Sequence, residues 1–268
     1  VTVEQTMKSG QDDPTEVSLG NNQNLKKRRV GIFLLPNLLT TGALFAGFYS
    51  IVAAINGRFE AAAISVLVAM LLDGMDGRIA RMTNTQSDFG AQYDSLSDMV
   101  SFGLAPALIM YQWILFQLGN IGWLAAFLYS AATGLRLSRF NTQASSSDKR
   151  FFQGLPSPAA AAFISSYLWF GESFAFRDKT FSVGIAVFIT VGAALLMISN
   201  IRYHSFKELD LKGRVSFIRA SAIVGMFALI SIQPESVLLL VFATYVLSGL
   251  VETSMSRHRK RSQRERRT

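Results

Sequence analysis

The sequence predicts an all-α integral membrane protein, a polytopic bundle of about eight transmembrane helices. Half of its 268 residues are hydrophobic. Charged residues make up only 16%, against about a quarter in an ordinary soluble domain. Those charges cluster, and long stretches between the clusters carry none, which is the pattern of a chain that crosses a bilayer repeatedly.

Taken in order, residues 1–23 read as a disordered tail, poor in apolar side chains and rich in Asn, Gln, Asp and Ser. They contain no apolar core followed by a small-residue cleavage site, so a signal peptide is not expected. Residues 24–35, NLKKRRVGIFLL, mix basic and apolar side chains as a basic interfacial helix does, and Pro36 suits the first turn of the span that follows. A transmembrane helix needs about 20 mostly apolar residues. Eight stretches reach or approach that length: 36–56, 59–82, 93–117, 121–139, 158–175, 181–199, 216–232 and 235–254. Together they make residues 36–254 a transmembrane catalytic domain, followed by a basic tail over 255–268. The second stretch is unusual because it turns polar and acidic from Asp73 onward.

Lys and Arg near membrane ends mark the cytoplasmic face. With Lys26, Lys27, Arg28 and Arg29 on that face, an eight-span alternation also places Arg78, Arg81, Arg136, Arg139, Lys149, Arg150, Arg202, Lys207, Lys212 and Arg214 there. Only Arg58, Arg177 and Lys179 fall opposite. Both termini are therefore expected in the cytoplasm of a cell whose inner membrane holds the chain. The tail RHRKRSQRERRT lies beside a span, where each basic residue gains about 1 kcal/mol from anionic lipid. That reading is preferred to nucleic-acid binding. The chain has no cysteine, which excludes a disulfide framework, a thiolate nucleophile and Cys-ligated metal.

The chemistry is concentrated in LLDGMDGRIARMTNTQSDFGAQYDSLSDMVSFG, residues 71–103. Asp73 and Asp76 are three apart, and Asp94 and Asp98 four apart, so each pair shares one helix face. Gly77 and Ala80 lie on the arc of the first pair, with Arg81 at its border. Gly90 extends the line of the second pair, and Ser101 lies close beside it. One Asp at the centre of a span costs on the order of 3 kcal/mol, and four together also repel one another. Hard divalent cations with oxygen ligands offset both costs, and two Mg²⁺ or Mn²⁺ would neutralise four carboxylates. Mg²⁺ also favours phosphate oxygens beside a few carboxylates, which points to a diphosphate ligand. The glycines leave room for a bulky ligand near the backbone, and Arg81 offers paired donors to phosphate. Taken singly, an Asp pair is commonly a solvated helix end, and small residues commonly serve helix packing. Their joint occurrence over so short a segment argues for a site.

The segment resembles the signature of the CDP-alcohol phosphotransferase family, D-x-x-D-G-x-x-A-R-x(8)-G-x-x-x-D-x-x-x-D, at Asp73, Asp76, Gly77, Ala80, Arg81, Gly90, Asp94 and Asp98. The resemblance implies a six-helix core with two metals at its cytoplasmic end. It implies that Asp73, Asp76 and Asp94 ligate metal, while Asp98 lies close to the metals and acts as general base. PNLLT at 36–40 resembles the start of the family's first helix, which implies that Asn37 faces the cytidine diphosphate and that Gly77, Arg81 and Ser87 line the nucleotide site. Within the family the chain looks most similar to the bacterial membrane-embedded branch whose acceptor is L-serine. The stretches that carry this likeness are SDFGAQYDSLSDMVSFGLAPA (87–107), LRLSRFN (135–141) and FFQGLPSPAAA (151–161). It covers roughly residues 30–200. The last two spans suit the eight-span form of that branch but hold no recognisable motif. A homodimer is likewise implied by the resemblance.

Neither His204 nor His258 lies in the motif. A serine acceptor needs partners for its carboxylate and ammonium. Arg136 and Arg139 are three apart near the end of the fourth span, Arg139 lying deeper than most positive-inside residues, and Asn141 or Gln153 could orient the amino acid. The competing view makes both arginines topology determinants touching lipid phosphate. Other acceptors for the same chemistry are glycerol 3-phosphate, inositol phosphate and choline. A metal-ion transporter is a rival of another class, but it calls for acidic groups near the midplane and broken helices in both halves. Here the acids sit in one half, with no counterpart after residue 140.

Overall fold

The computed structural model describes residues 14–143, 151–176, 180–204, 221, 225 and 228–265, and the side chains of the first described helix from Leu35 onward. Helix α1 spans Pro14–Ile55 and α2 Phe59–Thr83. Helix α3 (Asp88–Asp98) passes into a π-helical turn, Met99–Leu104, and then into α4 (Ala105–Trp113). Next come a short 3₁₀ turn at Leu115–Leu118, α5 (Asn120–Gln143), α6 (Ser157–Ser173), α7 (Thr180–Ile198) and α8 (Pro234–Glu265). A short ribbon, β1 (Phe151–Gln153) against β2 (Arg202–His204), is antiparallel, with Phe152 opposite Tyr203. The all-α expectation therefore holds for the described residues apart from this ribbon. Three-residue strands carry too little alternation to be read from sequence.

Among the described residues, three helical stretches are long and apolar enough to cross a membrane by length and composition: Leu35–Ile55, Phe181–Ile198 and Pro234–Thr253. The other expected spans fall short for visible reasons. Helix α2 turns polar at Asp73, and α6 is 17 residues long. The third span is divided between α3, the π turn and α4. Most of the expected span 216–232 lies outside the described residues, as do residues 1–13 and the basic side chains of 257–268. Helix α1 starts at Pro14, inside the segment read as a polar tail, and runs on through Pro36, which was expected to open a new helix.

The helices pack through small side chains. Ala53, Ala62, Ala63, Ala69, Ala105, Ala160 and Ala161 are all inaccessible to solvent, so backbones approach closely, as in bundles that lipid cannot drive together by hydrophobic force. Gly47 shows how closely: a Cβ there would stand 2.4 Å from Ser101 Oγ. The largest buried side chains, among them Trp113, Tyr129, Phe102 and Ile164, fill the centre. Large apolar side chains face outward, including Phe45 and Leu38 at 68% exposure and Phe188 at 78%. A small-residue interior beneath a surface of Phe and Leu suits a lipid surrounding, and with the apolar helices it marks a membrane protein.

Helix α1 pairs along α2 and touches α3, the π turn and α4; α6 packs on both α2 and α8, and α5 on α7. The acidic ends of α2 and α3 are thereby held beside the start of α6, and α8 closes the far side.

Candidate active site

Helix α2 ends at Asn84, whose left-handed conformation (φ 51°) lets its N–H cap Ala80 O. Three residues on, Ser87 caps α3: its Oγ accepts from the Gly90 N–H at 3.0 Å. This tight α2–α3 connection brings the two acidic pairs face to face. Carboxylate oxygens of Asp73, Asp76 and Asp94 lie within 4.8 Å of one another. Asp98 stands outside that trio, one turn along α3, where it meets Asp73 and Asp94. The next residues form the π turn, a distortion frequent at functional sites.

Neighbouring polar groups fix the acids. Thr40 Oγ donates to Asp76 Oδ2 at 2.5 Å and to Pro36 O at 3.1 Å. Ser97 Oγ donates to Thr40 O at 3.2 Å, which ties α3 to α1 beside Asp98. Asp94 Oδ1 is buried and has no hydrogen-bond partner. A buried carboxylate oxygen without a donor is costly. Its position among three convergent carboxylates fits a divalent cation with oxygen ligands, so the residues present suit the metal that the sequence implied.

Two cavities meet at these acids. The smaller, about 410 Å³, is lined by Asn37, Thr40, Asp76, Gly77, Arg81, Ser87, Gly90 and Asp94 among others. It gathers all four residues expected at the nucleotide. The larger, about 720 Å³, is lined by all four aspartates, Arg78, Arg81, Pro156 and Pro158, and by Phe242 and Tyr245 of α8. Asp76, Gly77, Arg81 and Asp94 belong to both. A Cβ on Gly77 would meet nothing nearer than Arg81 Nη1 at 3.9 Å, so the glycine faces open space.

The three residues expected at the acceptor whose side chains are described have different partners. Arg136 is held near the Asp98 charge and donates through Nη1 to Ser157 Oγ at 2.8 Å, while its buried Nε has no partner. Arg139 instead donates to Asn200 Oδ1 at 2.8 Å, and Asn141 donates to Ser95 Oγ at 3.0 Å. The side chain of Gln153, on β1, lies outside the described residues. Sequence reasoning missed Thr40, Ser157 and the α8 residues. Thr40 sat within the quoted PNLLT stretch. Nothing local marked Phe242 or Tyr245.

A family model described as CDP-alcohol phosphatidyltransferase matches residues 33–205. A CDP-diacylglycerol–serine O-phosphatidyltransferase of Helicobacter pylori (strain ATCC 700392 / 26695) is 33% identical over 82% of this chain and 91% of its own length. An enzyme of the same description from Bacillus subtilis (strain 168) is 33% identical over 65% of this chain and 92% of its own. An archaetidylserine synthase of Methanothermobacter thermautotrophicus is 38% identical over 66% and 72%, respectively.

Proposed function

The chain belongs to the CDP-alcohol phosphatidyltransferase family, and from that premise we propose that it transfers the phosphatidyl group of CDP-diacylglycerol to the hydroxyl of L-serine, giving phosphatidylserine and CMP. Relatives named for transfer to serine support the acceptor. The observation that carries it within this molecule is Arg136, a buried guanidinium beside Asp98 with an uncommitted Nε.

The cytidine diphosphate occupies the smaller cavity. Asn37 and the Ser87 hydroxyl face the nucleotide; the Ser87 oxygen is committed to the Gly90 N–H, so Ser87 contributes its proton. Arg81 directs its donors at the phosphates from the border of both cavities. Two Mg²⁺ or Mn²⁺, held by Asp73, Asp76 and Asp94 with Asp98 at their edge, would supply neutralisation of the diphosphate and of charge developing on the departing CMP. Asp98 takes the proton of the serine hydroxyl. The serine oxygen bonds to the phosphorus that carries diacylglycerol, and the bond from that phosphorus to the bridging oxygen breaks, so CMP leaves with the electron pair. Arg136 receives the serine carboxylate next to Asp98, so acceptor and base are oriented together. Arg139 and Asn141, bonded to Asn200 and Ser95, brace the surrounding helices.

The proposed setting is a multi-pass inner-membrane protein with eight spans, a six-helix core, and both termini and the acids at the cytoplasmic face. A water-soluble amino acid and a two-chain lipid meet only at that interface. The basic tail rests on anionic lipids, and the active form is a homodimer.

The test uses purified protein in detergent with CDP-diacylglycerol, Mn²⁺ or Mg²⁺, and radiolabelled serine, glycerol 3-phosphate or inositol phosphate offered separately. CMP release and lipid labelling with serine alone, abolished by a chelator and restored by added metal, is the expected result. Labelling with a phosphorylated acceptor alone would overturn the serine assignment and keep the carboxylate chemistry. No CMP release under any condition would favour cation transport.

A further inference from the structure

We propose that the C-terminal helix α8 is the lipid-selecting wall of the reaction chamber, with Phe242 packing on the diacylglycerol part of the substrate; this rests on the acidic cluster being the CDP-lipid site. Helix α8 lies outside the segment matched by the family model, which ends at residue 205. It nevertheless shares one cavity with Asp73, Asp94 and Asp98.

That cavity is graded in polarity. At the carboxylates it is lined by Arg78 and Arg81. Its apolar lining is Met70, one turn before Asp73 on α2, with Ala159 of α6 and Val241 and Phe242 of α8. A ligand filling it would need a phosphate at one end and apolar groups at the other, and a phospholipid has that form. The acyl chains would leave the cavity between α2 and α8. Helices α2 and α8 both pack along α6 and scarcely touch one another. Met70 and Val241 line the cavity, and beside Met70 on α2 the side chain of Leu71 is 64% exposed. Acyl chains leaving the cavity there would pass between apolar helix faces into the bilayer.

The position of α8 is enforced. Tyr203 of β2 is fully buried and donates its hydroxyl to Val246 O at 3.3 Å. Its ring lies against Gly249, where a Cβ would come within 2.2 Å of Tyr203 Cε1. The same ring meets that of Tyr245 at 5.6 Å between centroids. The ribbon thus seats α8 by a contact that only glycine permits, and this sets Phe242, one turn before Tyr245, at the cavity.

The experiment measures CMP release by the full-length protein from CDP-diacylglycerols of short and long acyl chains, with free CDP as a soluble competitor. Phe242→Ala should raise KM for the long-chain substrate about tenfold and flatten the preference between chain lengths. The inhibition constant of CDP and KM for serine should stay within about twofold. Phe242→Leu should recover most of the loss. Unchanged KM and unchanged chain preference in Phe242→Ala would overturn the proposal, and so would an equal weakening of CDP. Thermal unfolding of each variant separates a lost contact from a lost fold. Wild-type CMP release checks the underlying reading by itself, and its absence would remove both.

Discussion

The smaller cavity is bounded by residues that lie between Pro36 and Asp94, from the middle of α1, the end of α2, the α2–α3 connection and the start of α3. The larger one shares Asp76 and Asp94 and adds Asp73, Asp98, the start of α6 and the middle of α8, up to Ser248. The first is the product of short loops and helix periodicity. The second exists only because α6 carries both α2 and α8 on its surface. The proposed nucleotide and metal site therefore draws on one stretch of the chain, whereas the walls proposed to receive an acceptor and a lipid are recruited from distant parts of it. On the proposed function this makes a division of labour, with chemistry in the local half and selectivity in the assembled half.

Asp98, on the boundary, offers the hardest test of that division. Asp98→Asn should lower turnover by about 10²–10⁴-fold, the range for loss of a general base, while CDP still competes with unchanged strength. Near-normal turnover at neutral pH would assign the base elsewhere. In the assembled half, Arg136→Ala should raise KM for serine by about 10- to 100-fold through loss of a charge-assisted bond. Arg139→Ala should change it by less than about threefold, since that arginine is bonded to Asn200. The reverse order would return Arg139 to the acceptor site.

Two glycines sharpen the comparison further. Gly77→Ala places a methyl in open space between the cavities, so inhibition by CDP should weaken about fivefold with no change in thermal unfolding. Gly171→Ala drives a methyl to 2.4 Å from the Trp113 ring and should cost about 1–3 kcal/mol of stability with both KM values unchanged. If Gly77→Ala unfolded the protein instead, the glycine would serve packing. The smallest effect is expected at Thr40. Thr40→Val removes one hydrogen bond to Asp76, worth about 1 kcal/mol, and should raise the metal concentration for half activity a few-fold.

Legibility followed the range of the forces involved. Helices α2, α5, α6 and α7 begin and end close to the expected 59–82, 121–139, 158–175 and 181–199, because apolar length and breaking residues are local properties. The pairing of Asp73 with Asp76 and of Asp94 with Asp98 came from helical spacing alone. The continuation of α1 through Pro36 did not: a proline signals a boundary, and packing against α2, α3 and α4 outweighs it. The β1–β2 ribbon was hidden because its pairing joins segments far apart in sequence. Arg136 and Arg139 share a face by spacing, yet a short distance along α5 one meets Ser157 and Asp98 and the other Asn200.

By itself the sequence determined the membrane class, the helical segments and the pairing of the carboxylates, since each depends on residue type and spacing within a few turns. Only the tertiary structure decided which arginine stands beside Asp98, that Thr40 steadies Asp76, and that α8 closes the chamber. Those outcomes depend on which helix surfaces come together. That is settled by small residues such as Gly47 and Gly249, whose meaning lies in the neighbour each one admits.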